Sequence, residues 1–365
     1  MLLLVFGLLF SVILQSGCAF KDIDKRVFVA AIGIDPGKNA DDKYKITLKI
    51  IIPPGSIKDA PGPEFDYLSH EAKTIGEAIS AMEAHIDKVL EFSQAKLILI
   101  NEKLLADEVG TFMDYFTRRG DIQLISYVAV GRPSADKILK TEVVTESPSS
   151  IALFNLFDDN GSESPFTITT HLFGFRRDTH GKGIDAILPI IETGNDDKEL
   201  IVNKSAVIQK KKKPFELSPT QTSEFNALRN EKNDFNYTIQ DGDISLLLNI
   251  NRVNVKYKIV TNEGNKPKID MKIKMGGIIA ESNMNLHMGD LDKYSQLANE
   301  AFRDKVVALL KTFQENDVDP LGFGLRYRAT RLNQKNTFSD WEGIYPTIDF
   351  NVTVDVNLHG TGAIE

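Results

Sequence analysis

One cysteine and six histidines are the groups in this chain best suited to nucleophilic or metal chemistry. A single cysteine excludes an internal disulfide and every zinc site built on two or more thiolates. His70, His85, His171, His180, His287 and His359 are scattered, and no two form an H-E-x-x-H pair. His171 and His180 are the closest in sequence, but no carboxylate stands at ligand spacing on a shared helix. The acidic stretch "DDNGSES" at 158–164 offers oxygen ligands without the spacing of an EF-hand loop, and reads as a flexible acidic loop. There is no G-x-S-x-G elbow, no Walker loop and no G-x-G-x-x-G, and Gly322-Phe323-Gly324 is an isolated glycine pair with no claim on phosphate. A Ser/His/Asp triad drawn from distant segments would leave no mark in one sequence, and nothing points to one. The expectation is a chain without catalytic, cofactor-binding or metal-ligating residues.

The cysteine is different. Residues 2–14, LLLVFGLLFSVIL, are apolar except for Gly7 and Ser11. The stretch up to Gly17 is short of the about 20 residues a helix needs to cross hydrocarbon, and its length suits the apolar region of a secretory leader. A buried core helix is the other reading, but such a helix usually has a polar face and this segment has none. Leu14-Gln15-Ser16-Gly17-Cys18 resembles a bacterial lipobox, with leucine four residues before the cysteine and small residues at the two positions before it. That resemblance implies thioether attachment of diacylglycerol to Cys18 and cleavage between Gly17 and Cys18. Two acyl chains (palmitate or similar) on one residue give stable attachment, where one gives only marginal binding. The usual basic residues before the apolar run are missing, because Met1 leads straight into Leu2, and this suggests a start upstream of Met1.

Composition excludes other classes. Apolar residues make up 42 % and charged residues 26 %, as in ordinary globular proteins. With 43 basic and 51 acidic residues the formal charge is −8, a poor match for nucleic acid. No later window is apolar enough to span a membrane.

The elements follow from hydrophobic period and turn residues. "VFVAAIGID" (27–35) and "YKITLKIIIP" (44–53) read as neighbouring strands across a turn-rich loop. Residues 53–67 carry four prolines and are excluded from any central element. Thr74 and Glu77 have capping-box spacing, and Ile75, Ala78, Ile79, Met82, Ile86, Val89 and Leu90 share one helical face. "AKLILIN" (95–101) is a short strand; Leu104, Leu105, Val109, Phe112, Met113 and Phe116 mark a helix ending near Arg119-Gly120; residues 122–130 form another strand. Strands alternating with helices favour parallel pairing. Residues 145–166 read as a loop, and "AILPII" and "SAVIQKKKKPFEL" as strands. The "KKKK" run, Lys210–Lys213, reads as a solvated hairpin turn, with contact to acidic lipid as the alternative. From Asp243 the chain is strand-rich, with "ISLLLNINRVNVKYKIV" and then "KIDMKIKMGGIIAES" as strands, followed by a striped helix over 291–315 and closed by an alternating strand over 347–358.

Several of these segments together are similar to the C-subunit lipoproteins of spore nutrient-germinant receptors, the Ger(x)C family. The similarity begins with "GCAFKDIDKRVFVAAIGID", where the family commonly has Trp-Asp in place of Ala19-Phe20. It runs on through 73–130 with its Arg119-Gly120-Asp121-Ile122 turn, through "KSAVIQKKKKPFELSPTQTSEFNAL", and through the C-terminal signature of Asp319, Gly322, Gly324, Trp341 and Pro346. The resemblance implies an α+β fold of successive α/β domains with mixed sheets, and a long helix on an antiparallel-rich sheet in the C-terminal region. The corresponding division is a leader (1–17), an N-terminal α/β domain (18–142), a strand-rich middle domain (143–235) and a C-terminal α+β domain (236–365). It implies a non-enzymatic lipoprotein anchored on the outer face of the spore inner membrane, acting with the receptor's A and B subunits and not itself binding the small nutrient. The family has no agreed ligand residues, so only Cys18 carries a role. Two other readings stay open, a lipid-anchored extracytoplasmic solute-binding protein and a lipid-anchored hydrolase. The partner surface is expected at the 53–67 loop or the helix end near Arg118-Arg119.

Overall fold

The computed structural model describes residues 25–361 except 40, 53–63, 144–154, 156, 158–163, 195–197, 210, 230–233, 262–265 and 333. The leader, Cys18 and most of the acidic run lie outside the described residues. In chain order the elements are β1 (Arg26–Pro36), β2 (Tyr44–Ile52), β3 (Glu64–Ala72), α1 (Ile75–Glu83), β4 (Val89–Glu91), β5 (Leu97–Asn101), α2 (Val109–Arg118), β6 (Tyr127–Arg132), α3 (Ala135–Lys140), α4 (Leu172–His180), β7 (Ala186–Thr193), β8 (Leu200–Ile208), β9 (Phe215–Leu217) and α5 (Pro219–Leu228). These are followed by β10 (Phe235–Asp241), β11 (Ile244–Val260), β12 (Lys268–Ser282), α6 (Leu291–Glu315), α7 (Phe323–Ala329), α8 (Thr337–Ile344) and β13 (Asp349–Leu358).

Nine strands form the first sheet, in the order β3-β2-β1-β5-β6-β7-β8-β9 with β4 beside β1. Pairing is parallel in the centre, from β1 to β5, β6 and β7, and antiparallel at both margins. The unbroken apolar runs of β1 and β5 follow from coverage on both faces. Ile32 and Ile98 face a core shared with α1, α2 and α4, while Ala31, Leu97 and Leu99 face α3 through Ala135, Ile138 and Leu139. The second sheet, β10-β11-β12-β13, is antiparallel except for the β12–β13 pair, so the mixed, antiparallel-rich α+β architecture is the one expected. Helix α6 lays Tyr294, Ala298, Phe302, Val306, Leu309, Leu310 and Phe313 against its inner face.

Residues 143–235, read from sequence as a middle unit, extend the first sheet through β7, β8 and β9. Ile187, Val207 and Leu217 on those strands also join the core of the second sheet, so this segment serves both halves.

Three local readings need correction. The helix at Thr74 has its capping box, but stops at Glu83; Val89–Glu91 turns away and pairs in parallel with Arg26–Phe28. That stretch of β1 lies beyond the register of β5, and β4 satisfies backbone groups that would otherwise be bare. Strand β6 starts at Tyr127 instead of 122, because the Ser126 hydroxyl donates to Ala95 O and Gln123 O and holds the approach in a turn. Residues 64–72 form β3, a strand the prolines before it obscured, and it lies at the sheet edge.

The Gly33-Ile34-Asp35 end of β1 shows why helix α3 sits where it does. A Cβ at Gly33 would lie 2.9 Å from Leu139 Cδ1, and one at Gly131 3.0 Å from Ala135 Cα, so both strands admit the helix only as glycine. The buried Asp35 carboxylate accepts from Asn101 Nδ2, Ala135 N and Asp136 N, each at 2.8 Å. It thereby joins β1, β5 and the helix start, where a negative charge is favoured. Replacing it strands two buried donors and a half-buried one, at about 1–3 kcal/mol for each unsatisfied buried group. Asp35→Ala is expected to lower stability by about 3 kcal/mol in a urea titration; a loss below about 0.5 kcal/mol, the range of an indifferent surface change, would contradict this role.

Candidate functional site

The C-terminal signature residues converge where the two halves of the chain meet. Asp319 follows α6 and is buried; its Oδ1 accepts from Phe323 N at 3.0 Å and its Oδ2 from Gly324 N at 2.7 Å, capping α7. Its own backbone crosses to the first half. Asp319 N donates to Asp185 Oδ2 at 2.7 Å, and Asp185 N donates to Asp319 O at 3.1 Å. Leu325 N donates to Gly183 O at 2.6 Å, and Arg328 Nη1 donates to Lys182 O at 2.8 Å.

Glycine is required on both sides of this seam. Gly183 (φ +84°) and Gly322 (φ +70°) take left-handed conformations. A Cβ on Gly324 would lie 2.5 Å from the Trp341 ring and 2.8 Å from Gly183 Cα. Trp341 is buried between Tyr345 and Tyr327, with ring centroids 5.3 Å from each. Tyr345 Oη donates to Val318 O at 2.6 Å, and Pro346 lies in the short turn that leads toward β13. Four of the five signature residues therefore build one joint, and Pro346 marks the exit from it.

Beside the seam is a cleft of about 710 Å³. The start of α2, the 178–186 turn, Lys211 and Lys212 form one side, and Asp317, Phe338 and Trp341 the other. Its charges are mostly committed. Lys212 pairs with Asp317 at 3.6 Å, Lys182 lies 5.4 Å from the Phe338 ring, and the Asp185 and Asp319 carboxylates hold backbone N–H groups. Such a cleft has the size of a small-ligand site. On its lining Thr179 Oγ1 lies 3.3 Å from His180 Nδ1, but the hydroxyl donates to Phe175 O at 2.8 Å and the ring nitrogen lies 3.0 Å from Arg176 O.

Burial pushes the Asp319 carboxyl up to about 7; the N–H groups of Gly324 and Phe323 oppose this and the Asp185 charge adds to it. Glu224 on α5 is likewise pushed up to about 7 by burial, with Lys305 opposing. On β2, burial pulls Lys49 down to about 8, although Nζ still donates to Leu139 O at 3.3 Å and lies 4.9 Å from the Phe65 ring.

The residues singled out in the sequence are otherwise dispersed. His171 stacks between Tyr127 and Phe173, at 5.0 and 5.7 Å, with Nδ1 2.8 Å from Ile125 O. His180 Nδ1 is 3.0 Å from Arg176 O, and the His70 and His85 rings are 6.4 Å apart. Among the described residues no cluster of three or more His, Cys, Asp and Glu side chains has the arrangement of a metal site. The lysine run does turn between β8 and β9: Lys211 has φ +58° and its N donates to Ala106 O, with Lys210 outside the described residues. Arg119, expected at a free surface, is held by Asp121 and lies 4.2 Å from the Phe92 ring, while Arg118 is exposed. Among the described residues no helix is long and apolar enough to cross a membrane.

Sequence reasoning missed Gly183 and Asp185, although a signal was present. Gly-Ile-Asp occurs twice, at 33–35 and 183–185, and both aspartates accept backbone N–H groups from a distant segment.

Comparison with known proteins follows the same two halves. Residues 20–193 match the family described as spore germination protein N-terminal domain, and residues 203–362 the one described as spore germination B3/GerAC like, C-terminal. Spore germination protein GerQC of Bacillus cereus is 24 % identical over 358 residues, covering 96 % of each chain. The putative spore germination protein YfkR of Bacillus subtilis (strain 168) is 22 % identical, over 96 % of this chain and 94 % of that one. The crystal structure of the GerBC protein superimposes with a TM-score of 0.57 at 17 % identity, covering 90 % of this chain and 97 % of that one, and shares the fold.

Two outcomes test the seam. Gly324→Ala is expected to cost about 2–3 kcal/mol by overpacking against Trp341 and Gly183, read from urea unfolding; unchanged stability would mean the halves are not held there. Because the folded Asp319 binds its proton more tightly than the unfolded chain, its contribution to stability is fullest below about pH 4 and declines as pH rises toward about 7. The stability lost in Asp319→Asn should therefore shrink between pH 4.5 and 7.5 on unfolding curves; a loss that grows across that range would contradict the assignment.

Proposed function

This chain belongs to the GerAC-like family of spore germination proteins, and from that premise we propose that it is the lipid-anchored C subunit of a nutrient germinant receptor. The observation that carries the reading is the ordered match of both family halves over nearly the whole chain, immediately behind the Leu14–Cys18 lipobox. In this reading residues 1–17 are removed, Cys18 carries diacylglycerol, and the folded body is held on the outer face of the spore inner membrane. Its work is contact with the A and B subunits, without catalysis. The seam supports a contact role, since its carboxylates and glycines fix the backbone of the two halves.

A second reading rests on the cleft. A space of about 710 Å³ between two halves suits a lipid-anchored solute-binding protein as well. Calorimetric titration with candidate nutrients separates the two: tight direct binding favours the solute-binding reading, and no heat favours the subunit.

The anchor is tested by Cys18→Ala. All described elements begin after residue 25, so the variant should unfold within about 0.5 kcal/mol of the parent while moving from the membrane fraction to the soluble one. A variant that stays in the membrane fraction after a high-salt wash would show that something other than lipid holds it. At the level of the spore, deletion of the gene should weaken the response to at least one nutrient. Germination unchanged in every receptor background would remove the subunit role.

A further inference from the structure

The outer face of the second sheet is open. Along β11 and β12, alternate residues turn inward to the α6 core, and the intervening ones face solvent. Among those outward residues lysine and arginine outnumber the acidic side chains. Lys256 stands directly opposite Lys272 in the β11–β12 register, Lys258 is two residues along, and Lys274 and the exposed Arg252 extend the group. Opposed like charges on neighbouring strands are unfavourable, with Cβ atoms about 5 Å apart. The nearby carboxylates leave the Lys256–Lys272 pair unrelieved, although Asp270 stands directly opposite Lys258 in the register. Asp270 is already held by Lys268 at 2.9 Å and by Asn351 at 2.8 Å, and Asp355 reaches Lys274 only at 3.9 Å. No ion pair joins Lys256 or Lys272 to another described residue. A shallow hollow of about 310 Å³ lies among Lys256, Lys258, Lys272, Asn351, Thr353 and the Asp270 carboxylate.

A cluster of this sign on a chain of formal charge −8 concentrates positive potential on one surface. We infer that this face docks on an anionic phospholipid surface, with Lys256, Lys258 and Lys272 meeting headgroup phosphates. The composition of the face decides between occupants. Protein interfaces are centred on aromatic residues, methionine and arginine and are depleted in lysine, whereas this face offers mainly lysine, asparagine and threonine, with Arg252 at one end and Asp270 and Asp355 as acidic members paired to Lys268 and Lys274. Nucleic-acid surfaces interleave cations with aromatic rings for stacking, and no aromatic side chain points out here. Lysines spaced about 7 Å along a strand and about 5 Å across it suit a plane of phosphates. The inference rests on charge and shape, independently of the lipid at Cys18.

The test uses the chain from residue 18 with Cys18→Ala, which keeps every described element and removes both leader and acyl chain. Sedimentation with vesicles of phosphatidylglycerol in phosphatidylcholine should show binding that pure phosphatidylcholine does not, and that weakens as salt is raised. The triple variant Lys256→Gln, Lys258→Gln, Lys272→Gln should bind about 100-fold less, near fivefold per lysine. Its fold is not at risk, because the change removes a repulsion, and an unchanged thermal midpoint checks this. A charge-matched control, Lys38→Gln, Lys311→Gln, Lys335→Gln, should lose less than about fivefold. Equal binding to neutral vesicles, equal losses in the two triple variants, or undiminished binding in the Lys256 variant would each overturn the inference. Failure here leaves the anchor standing, since Cys18→Ala fractionation reads that separately.

Discussion

A buried backbone N–H must find an acceptor, and in this fold two aspartates meet that demand across long sequence distances. Asp319 closes the start of α7 with its carboxylate while its own N–H is taken by Asp185, 134 residues earlier. Asp35 does the same work in the first half, holding α3 against β1 and β5. Close approach is the condition for both. Gly33 and Gly131 admit α3, and Gly183 and Gly324 let two backbones meet under Trp341. If the glycines gained side chains, the carboxylates would lose reach, and the two sheets would lose their common reference.

That common reference determines what the molecule can do. Cores from the two halves share β7 and β8, so the seam and the apolar packing act on the same junction. The polar groups in the cleft that would attract a chemical reading are engaged in holding backbone or in ion pairs. A body built in this way presents fixed surfaces. The open lysine-bearing face of the second sheet is such a surface, set on the side away from α6.

The sequence made the elements readable wherever one physical rule acted alone. The stripe of α6 and the alternation of β11, β12 and β13 place those elements almost to the residue, because burial on one face dictates a period. The reading failed where two rules competed. Val89 and Leu90 continue a helical stripe, but the bare edge of β1 claims them as a strand. Strand β3 has little burial to set a pattern and follows a proline-rich stretch. The candidate site was visible only as isolated letters. Gly322 and Gly324 are uninformative until Asp319 and Trp341 are beside them, and the partner turn at 183–185 is remote in sequence. The repeated Gly-Ile-Asp was the one local trace of that joint.

In the function proposed above, this chain is a fixed body held against other receptor subunits at the spore membrane. Affinity purification of the tagged, full-length protein from detergent-solubilised spore membranes tests that most directly. The account predicts that the A- and B-type receptor subunits co-purify in amounts comparable to the bait, after washes that remove a tagged, unrelated spore lipoprotein's background. Recovery of the chain alone from membranes that contain both subunits would contradict it.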